Sequence, residues 1–431
     1  MKQVLVRTFG CKLNQYDSQL ITESFARSGY AVAKDPSSAD VCVVNTCSVT
    51  ARSDYQARQL VRRVLRSGRR PVVVVTGCYS QRAPYEIAGI EGVGLVTGNV
   101  EKASLPLLVQ GLARGEAART AVSSPEEHHC LAGCDPAFQR RARALVKIQD
   151  GCDASCTYCV VPSVRGKARS VRPERVLTEV TALCESGYRE VVLTGARIGS
   201  YRNEGENGQS LDGLVRALAG VRRDFRIRLS SLEPGEITES LLDAALCGER
   251  VCAHFHVPMQ SGDDAVLSAM ARPYSAREYA ERILAIRRKL PHACVGSDVI
   301  VGFPGESDAH FARTYELVES LPLAYLHVFP YSRRPGTAAF WMRDQVPGTV
   351  KKARARALIE LGARKKREFA LSQAGSVETA ILEEQVAEDL WKATTGNYLR
   401  VGLKSRGRAA GEVVRVRIGA YGDGGLVGEA C

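Results

Sequence analysis

No run of apolar residues in this 431-residue chain approaches the ~20 that a membrane-spanning helix needs. Nor does the opening Met1-Lys2-Gln3-Val4-Leu5-Val6-Arg7 carry a signal-peptide core. Both absences lead to the expectation of a cytoplasmic protein with no membrane partner. Disulfides are rare in that compartment, so the fourteen cysteines are expected to be reduced, and those with a pattern read better as ligands than as bridges. What is present is ordinary for a globular protein: 45% hydrophobic residues, 25% charged residues, and length enough for two or three domains. The formal net charge of +12 points to a polyanionic partner, although solubility alone accounts for many such excesses.

One cysteine group omits a ligand. Cys152-Asp153-Ala154-Ser155-Cys156-Thr157-Tyr158-Cys159 supplies three thiolates from one short loop, in the spacing C-x3-C-x2-C, and no fourth. A structural zinc site normally closes with four ligands. Three suit a centre with an open position, and a 4Fe–4S cluster held by three cysteines leaves one iron free for a small molecule. The preceding Ala144-Leu145-Val146-Lys147-Ile148-Gln149 reads as a strand, which puts the loop at a strand's carboxyl end, where α/β folds build their sites.

This loop resembles that of the radical S-adenosylmethionine (SAM) enzymes, in which C-x3-C-x-aromatic-C carries the cluster; Tyr158 fills the aromatic place. The resemblance implies that SAM chelates the open iron. It further implies that one electron from the cluster, itself supplied by an electron donor, splits SAM into methionine and a 5′-deoxyadenosyl radical.

Three more cysteines follow expected strands. Val4-Leu5-Val6-Arg7-Thr8-Phe9, Val41-Cys42-Val43-Val44-Asn45 and Val72-Val73-Val74-Val75-Thr76 read as strands, with a helix around Asp17 to Ser28 that Gly29 ends. Continuous Val-rich runs mean strands buried on both faces, hence a parallel sheet covered by helices. Gly10-Cys11, Thr46-Cys47 and Gly77-Cys78 come directly after these strands, so the three thiolates are expected to converge at one sheet edge as a second three-thiolate site. Gly10 and Gly77 let the backbone turn tightly there. Cys42, inside its strand, reads as a small core hydrophobe.

Thr8-Phe9-Gly10-Cys11-Lys12-Leu13-Asn14-Gln15-Tyr16-Asp17-Ser18, Asn45-Thr46-Cys47-Ser48-Val49-Thr50 and Thr76-Gly77-Cys78-Tyr79-Ser80-Gln81 resemble the three signatures of the methylthiotransferases. These are radical SAM enzymes with a second cluster in an amino-terminal domain. The similarity covers nearly the whole chain and is nearest to the branch acting on N6-threonylcarbamoyladenosine in tRNA; Gly-Cys-Lys-Leu-Asn-Gln-Tyr carries most of that finer choice.

The expected fold is α/β, with an amino-terminal parallel-sheet domain (1–114), a linker (115–139), a partial (β/α)6 barrel (140–371) and a small β-barrel (375–431). Strands near Ala144, Glu190, Arg226, Ala253, Val295 and Tyr325 alternate with helical segments, as an open barrel with its site at the strands' carboxyl ends requires. By resemblance, strand-end residues Thr194, Gly195, Ser231, Gln260, Asp298 and Gly302 hold SAM together with Tyr158, Gly302 permitting close approach to the adenine. The family's usual Gly-Gly-Glu is missing at Leu193-Thr194-Gly195. Ser, Asp and Gly at strand ends equally serve as caps and turns. His254 and His256 face the same side of one strand and lack a further ligand in the local sequence. Arg165, Arg333 and Arg334 lie where they could meet phosphate, against the commoner role of solvated arginine.

Beyond Gly375 the pattern becomes short alternating strands. Leu399, Val401 and Leu403 are expected inside a barrel, with Arg400, Lys404, Arg415 and Arg417 outside. The module resembles the TRAM domain, which implies RNA binding through phosphate contacts. Lys351-Lys352-Ala353-Arg354-Ala355-Arg356 and Arg364-Lys365-Lys366-Arg367 lie on the helix leading into it, where a solvated face is the usual meaning of a charge run. The 115–139 segment, with His128-His129-Cys130 and Cys134, reads first as a flexible connector and second as an adventitious metal site. Cys184, Cys247, Cys252, Cys294 and Cys431 receive no role.

The resemblance implies an enzyme that inserts a methylthio group at carbon 2 of N6-threonylcarbamoyladenosine 37 of tRNA, a C–H position that acid–base residues cannot activate. It implies two 4Fe–4S clusters, SAM as both radical source and methyl donor, and a sulfur source. Methylthiotransferases of isopentenyladenosine or of a ribosomal-protein aspartate are the rival readings within the family. A non-catalytic iron–sulfur RNA-binding redox sensor is the rival from another class.

Overall fold

The computed structural model describes the chain except residues 68–70, 113–117, 128–132, 140, 203–207, 247–249 and 423–424. His128-His129-Cys130 and Cys247 therefore lie outside the described residues.

Six strands, β1 (Gln3–Thr8), β2 (Ala31–Val32), β3 (Val41–Thr46), β4 (Val72–Gly77), β5 (Val93–Thr97) and β6 (Arg119–Ala121), form one parallel sheet in the order β2-β1-β3-β4-β5-β6. Every residue of β3 is buried, as a strand covered on both faces must be. On one face Cys42, Val44, Val73 and Val75 pack against Ala57, Val61 and Val64 of helix Ala51–Leu65. On the other, Val41, Val43 and Val74 meet Ile21 and Phe25 of helix Lys12–Arg27. Cys42 is thus a core residue. Helix Lys12–Arg27 starts five residues before the expected point because Asn14, Asp17 and Ser18, polar yet buried, mask its apolar periodicity.

The segment expected to be a flexible connector is partly built in. Arg119–Ala121 adds the edge strand β6 beside β5, and Cys134, 2% exposed, packs among Tyr16, Leu145 and Val192. A three-residue strand of polar and small residues leaves no sequence periodicity to read.

In the centre, β7 (Ala144–Lys147) is followed by a short antiparallel pair, β8 (Gln149–Asp150) with β9 (Arg169–Ser170). Then come β10 (Glu190–Thr194), β11 (Arg226–Leu229), β12 (His254–His256), β13 (Cys294–Val301) and β14 (Tyr325–Pro330). Two parallel three-stranded sheets, β11-β10-β7 and β12-β13-β14, abut where Ile227 bridges Val251 and the Leu232 N–H donates to the His256 carbonyl at 2.9 Å. The result is the expected open barrel of six parallel strands. Alternation sorts its side chains. Val146, Val191, Leu193, Ile227, Leu229, Phe255 and Val299 join the helices in one apolar core. Their neighbours Lys147, Glu190, Arg226, Arg228, His254, His256, Asp298 and His327 face the lumen, which is strongly polar.

Helix Gly348–Ser372 leads to a closed barrel of β15 (Val377–Ala387), β16 (Leu390–Thr395), β17 (Arg400–Lys404), β18 (Val413–Gly422) and β19 (Gly425–Ala430), ordered β15-β16-β17-β19-β18. Leu399, Val401 and Leu403 point into its core, as the alternation predicts. Several cations of the leading helix hold the open central barrel instead of facing solvent. Arg354 pairs with Glu306 at 2.6 Å, and Lys365 donates to the carbonyls of Glu319 and Leu321 at 2.8 Å. Among the described residues no helix is long and apolar enough to cross a membrane.

Candidate metal centres

Strands β1, β3 and β4 lie side by side and in register, Thr8 opposite Asn45 and Thr46 opposite Gly77, so Cys11, Cys47 and Cys78 leave the sheet at one edge. Gly10 has φ +101°, and a Cβ there would stand 2.6 Å from Cys47 Cβ and 2.9 Å from its Sγ; Gly77 turns at φ +100°. Only glycine lets the first loop fold against Cys47 and the second against the Thr46 backbone. Cys11 caps helix Lys12–Arg27. Asn14 fastens two of the loops, donating from Nδ2 to the carbonyls of Phe9 and Thr46, both at 2.9 Å. Burial, reinforced by Cys78 and Cys11 nearby, pushes the Cys47 thiol up to about 12.

The second trio stands on the loop after β8. The Cys152 N–H donates to the Gly166 carbonyl at 3.0 Å and the Thr157 N–H to that of Met270 at 3.1 Å, which fixes the loop on the barrel mouth. Each sulfur has a donor: Ala154 N–H to Cys152 and Val161 N–H to Cys159, both at 3.4 Å, and Arg272 Nη1 to Cys156 at 3.1 Å. Burial pushes Cys159 up to about 12, with the Val161 donor acting in the opposite sense. Two trios of soft donors, each without a fourth cysteine among the described residues and each with backbone turned toward a sulfur, fit two iron–sulfur clusters with an open iron. Cluster binding there would displace protons from the raised thiols of Cys47, Cys152 and Cys159 and would be favoured by higher pH.

A buried ionic network lies beneath both trios. Arg165 donates from Nη1 to both oxygens of Asp150 (2.9 and 3.1 Å) and from Nη2 to Asn14 Oδ1 (2.6 Å) and Asp17 Oδ2 (3.2 Å). Asp17 also pairs with Lys102 (2.6 Å) and Lys147 (2.8 Å). Burial works against the charge of Asp17, but Lys102, Lys147 and Arg165 hold it well below the usual carboxylate range. Asp150 accepts from the Gly151 N–H at 2.8 Å, one residue before Cys152, and Asn99 donates to the Val164 carbonyl at 2.7 Å while lying 3.8 Å from Cys78 Sγ. Arg165 is therefore an inter-domain tie and is not placed to meet phosphate. The same correction holds for Arg334, which is 3% exposed and bonded to Ser48 and Asp54 of the first domain; Arg333 stacks on Phe340.

The residues expected around SAM fall at the barrel mouth in varied settings. Tyr158 packs edge-on to Phe303, 6.5 Å between centroids. Gly195 lies against Gln149, where a Cβ would come 2.8 Å from Oε1, and the Thr194 carbonyl accepts from the Ile148 N–H at 3.0 Å. Ser231 is exposed, and Gln260 has φ +65° with its N–H bonded to the Asp298 carbonyl at 2.9 Å. The close approach that Gly302 permits is taken by the Lys351 side chain, and the Gly302 N–H donates to Glu306 at 2.8 Å. Asp298 Oδ1 is shared by His256 Nε2 (2.8 Å) and His327 Nδ1 (3.1 Å). These three groups also have the placement of a metal triad, but the hydrogen bonds account for them without one. His254 Nε2 lies 2.9 Å from the Tyr325 hydroxyl, which His256 Nδ1 also reaches at 3.0 Å, and its ring stacks at 4.1 Å on Tyr398 of the carboxyl-terminal barrel. Burial, with Arg228, His256 and Lys12 around it, pushes His254 well below its ordinary value and keeps it neutral.

Sequence reasoning missed the lumen floor. Glu190 receives Arg226 (2.6 Å) and Arg228 (2.7 Å), whose other donors reach carbonyls of Thr379, Thr394, Thr395 and Gly396, sealing the barrel's amino-terminal end with the small barrel. Burial opposes the Glu190 charge, but Arg228 and Arg226 hold it down at about 2. The signal was present in Arg226-Ile227-Arg228-Leu229, where arginine alternates with apolar residues on a buried strand.

On the small barrel Arg400, Lys404, Arg415 and Arg417 all point outward, but not as one basic face. Lys404 and Arg417 flank Glu429 of β19, while Arg400 lines a cleft of about 720 Å³ with Arg141, Arg143 and Glu383.

The open barrel and its three-thiolate mouth define a protein of the radical SAM class. Residues 146–318 match the Radical SAM superfamily, and residues 3–98 match Uncharacterized protein family UPF0004. The structure of the radical S-adenosylmethionine methyltransferase TsrM from Kitasatospora setae is similar in fold (TM-score 0.57, 15% identity, 90% of this chain and 79% of that one). Threonylcarbamoyladenosine tRNA methylthiotransferase MtaB of Bacillus subtilis is 36% identical over 426 residues, 97% of this chain and 94% of that protein. Its namesake from Aquifex aeolicus is 35% identical, over 96% and 100%. The tRNA-2-methylthio-N(6)-dimethylallyladenosine synthase of Sphingopyxis alaskensis is 33% identical, over 98% and 96%. The chain belongs to the radical SAM methylthiotransferase family.

Proposed function

We propose that this chain inserts a methylthio group at carbon 2 of N6-threonylcarbamoyladenosine 37 of tRNA. The observation that carries this reading is the buried network that joins the two cysteine trios through Asn14, Asp17, Arg165 and Asp150. Two open centres held in fixed relation suit a reaction that must activate a C–H bond and deliver sulfur at one place. Cys152, Cys156 and Cys159 would hold one cluster, with SAM at its open iron, and Cys11, Cys47 and Cys78 the other. These groups would supply the one-electron chemistry that an aromatic C–H demands. Tyr158, Thr194, Gly195, Ser231, Gln260 and Asp298 would border the place for SAM, with Gly302 behind the Lys351 side chain. The carboxyl-terminal barrel would bind tRNA phosphates through Lys404, Arg415, Arg417 and Arg400. Full-length similarity to proteins named for the threonylcarbamoyl substrate supports that choice over the dimethylallyl one.

Nucleoside mass spectrometry of tRNA from a strain without methylthiotransferases, with and without this chain, tests the reading. The expected product is 2-methylthio-N6-threonylcarbamoyladenosine, absent with Cys11→Ala or Cys156→Ala. A methylthio-dimethylallyl product would replace the substrate assignment, and no product from a chain with both clusters loaded would overturn the reading.

A further inference from the structure

Lys12 directly follows Cys11, and its ammonium stands within electrostatic range of Arg143, Arg228 and Glu190 on the lumen floor. Those neighbours are fully engaged. Arg143 pairs with Glu383 at 2.6 Å and Glu190 at 3.7 Å, and Arg226 and Arg228 divide the rest of Glu190 and four carbonyls of the small barrel. Asp298 is held by His256 and His327. Among the described residues the Lys12 ammonium makes no ion pair and no hydrogen bond, Glu190 acting on it only at longer range. Around Glu190, Glu383 and Glu378, then, three carboxylates face four cations: Arg143, Arg226, Arg228 and Lys12. An excess of positive charge in a half-buried place is a site for an anion.

Two further polar atoms in the lumen have no partner: Ser230 Oγ and His254 Nδ1, on residues 8% and 3% exposed. Of the inward-facing apolar residues, Leu145 and Val192 are covered by Tyr16 and Phe138, while Phe329 stays exposed beside His327. The lumen therefore provides an unpaired ammonium, a hydroxyl and a neutral imidazole, which match a ligand with a carboxylate and hydrogen-bonding groups.

We propose that Lys12 is a specificity-determining residue that receives the carboxylate of the threonyl group, with Arg143 and Arg228 raising the local positive potential behind it. This rests on the substrate reading above and adds which atom of the substrate is read. Lys12 adjoins Cys11, so the carboxylate would be recognised beside the centre that serves carbon 2. An ion pair of this kind discriminates because an uncharged analogue leaves the ammonium without its partner.

The test compares two anticodon stem–loops with the fully loaded enzyme, one carrying threonylcarbamoyladenosine and one its carboxamide, which keeps the shape and removes the charge. Binding constants and turnover are expressed as the acid-to-amide ratio within each enzyme, so a lower active fraction does not alter the result. Wild type is expected to favour the acid about tenfold or more, Lys12→Met to bring the ratio near unity, and Lys12→Arg to keep the preference. A wild-type ratio near unity, or a Lys12→Met ratio equal to wild type, overturns the inference. Failure of the substrate reading looks different: wild type would methylthiolate a dimethylallyl stem–loop and neither of these two.

Discussion

The Arg165 guanidinium lies 2.6 Å from Asn14 Oδ1, although 151 residues separate them. Asn14 turns its amide the other way to hold the loops before Cys11 and Cys47, and Arg165 turns its second nitrogen to Asp150, two residues before Cys152. Burial opposes the Arg165 charge, but Asp150 foremost keeps it protonated. Replacing Arg165 with Ala leaves Asp17 and Asp150 buried with less compensation, and losing one partner of a buried pair costs about 3–5 kcal/mol. The expected result is a lower urea midpoint and less iron at both sites. Arg165→Lys should recover part of the stability but not the forked geometry. Wild-type iron content and midpoint in Arg165→Ala would contradict the tie.

Gly10→Ala tests the amino-terminal trio separately. Both the positive φ and the 2.6 Å approach to Cys47 Cβ oppose a side chain there. The variant is expected to lose the iron of that site and keep that of Cys152, Cys156 and Cys159. Cleavage of SAM to 5′-deoxyadenosine should then persist while methylthio product disappears. Loss of SAM cleavage in step with the product would show that the trios do not load independently.

Arg272 places a cation 3.1 Å from Cys156 Sγ and also bonds to Glu233. Hydrogen bonds and positive charge at a cluster sulfur favour the reduced state. Arg272→Met is expected to shift the reduction potential of that cluster to more negative values, read by electron paramagnetic resonance during a redox titration. The signal of the other cluster serves as the internal reference.

Glu179 joins helix Pro173–Glu185 to the first domain by accepting from the Tyr16 hydroxyl at 2.9 Å and from the Gly133 N–H at 3.0 Å. Burial raises its carboxyl from 4.5 to about 7, with these donors acting in the opposite sense. An acid raised in the folded state holds its proton more tightly there, so its contribution is complete below the unfolded value and is lost as pH rises through about 7. Between pH 5 and 8 this group should lower stability by up to about 3 kcal/mol. The slope should flatten in Glu179→Gln, measured as the urea midpoint against pH. Equal slopes in both proteins would mean that Glu179 is already ionised at pH 5.

Much of this architecture was legible from residues that act locally or by strand topology. The C-x3-C-x2-C loop needs no tertiary information, and three cysteines after three Val-rich strands converge because parallel strands end on one edge. The ionic partners were not legible. Asp54 and Arg334, or Asp17 and Lys147, meet only because two domains dock, and nothing in local periodicity distinguishes a docked arginine from a solvated one. Lys12 was hidden for a related reason: it read as one letter of a cysteine signature, and its lumen position depends on strands more than a hundred residues away.

The carboxyl-terminal barrel offers the remaining prediction. Lys404 and Arg417 stand on either side of Glu429, so an acidic residue lies in the surface expected to meet phosphate. Removing either cation should weaken tRNA binding and reduce the slope of log K against log salt by about 1. Glu429→Gln should act in the opposite direction, tightening binding, because it removes a competitor for both cations without touching the barrel core. Arg400 is expected to contribute less than either, since it lines the cleft with Glu383 and Arg143 and is set apart from the Lys404–Arg417 stripe. Filter binding of unmodified tRNA across a salt series measures all four variants. Equal losses from Arg400→Ala and Lys404→Ala would place the RNA along the cleft instead.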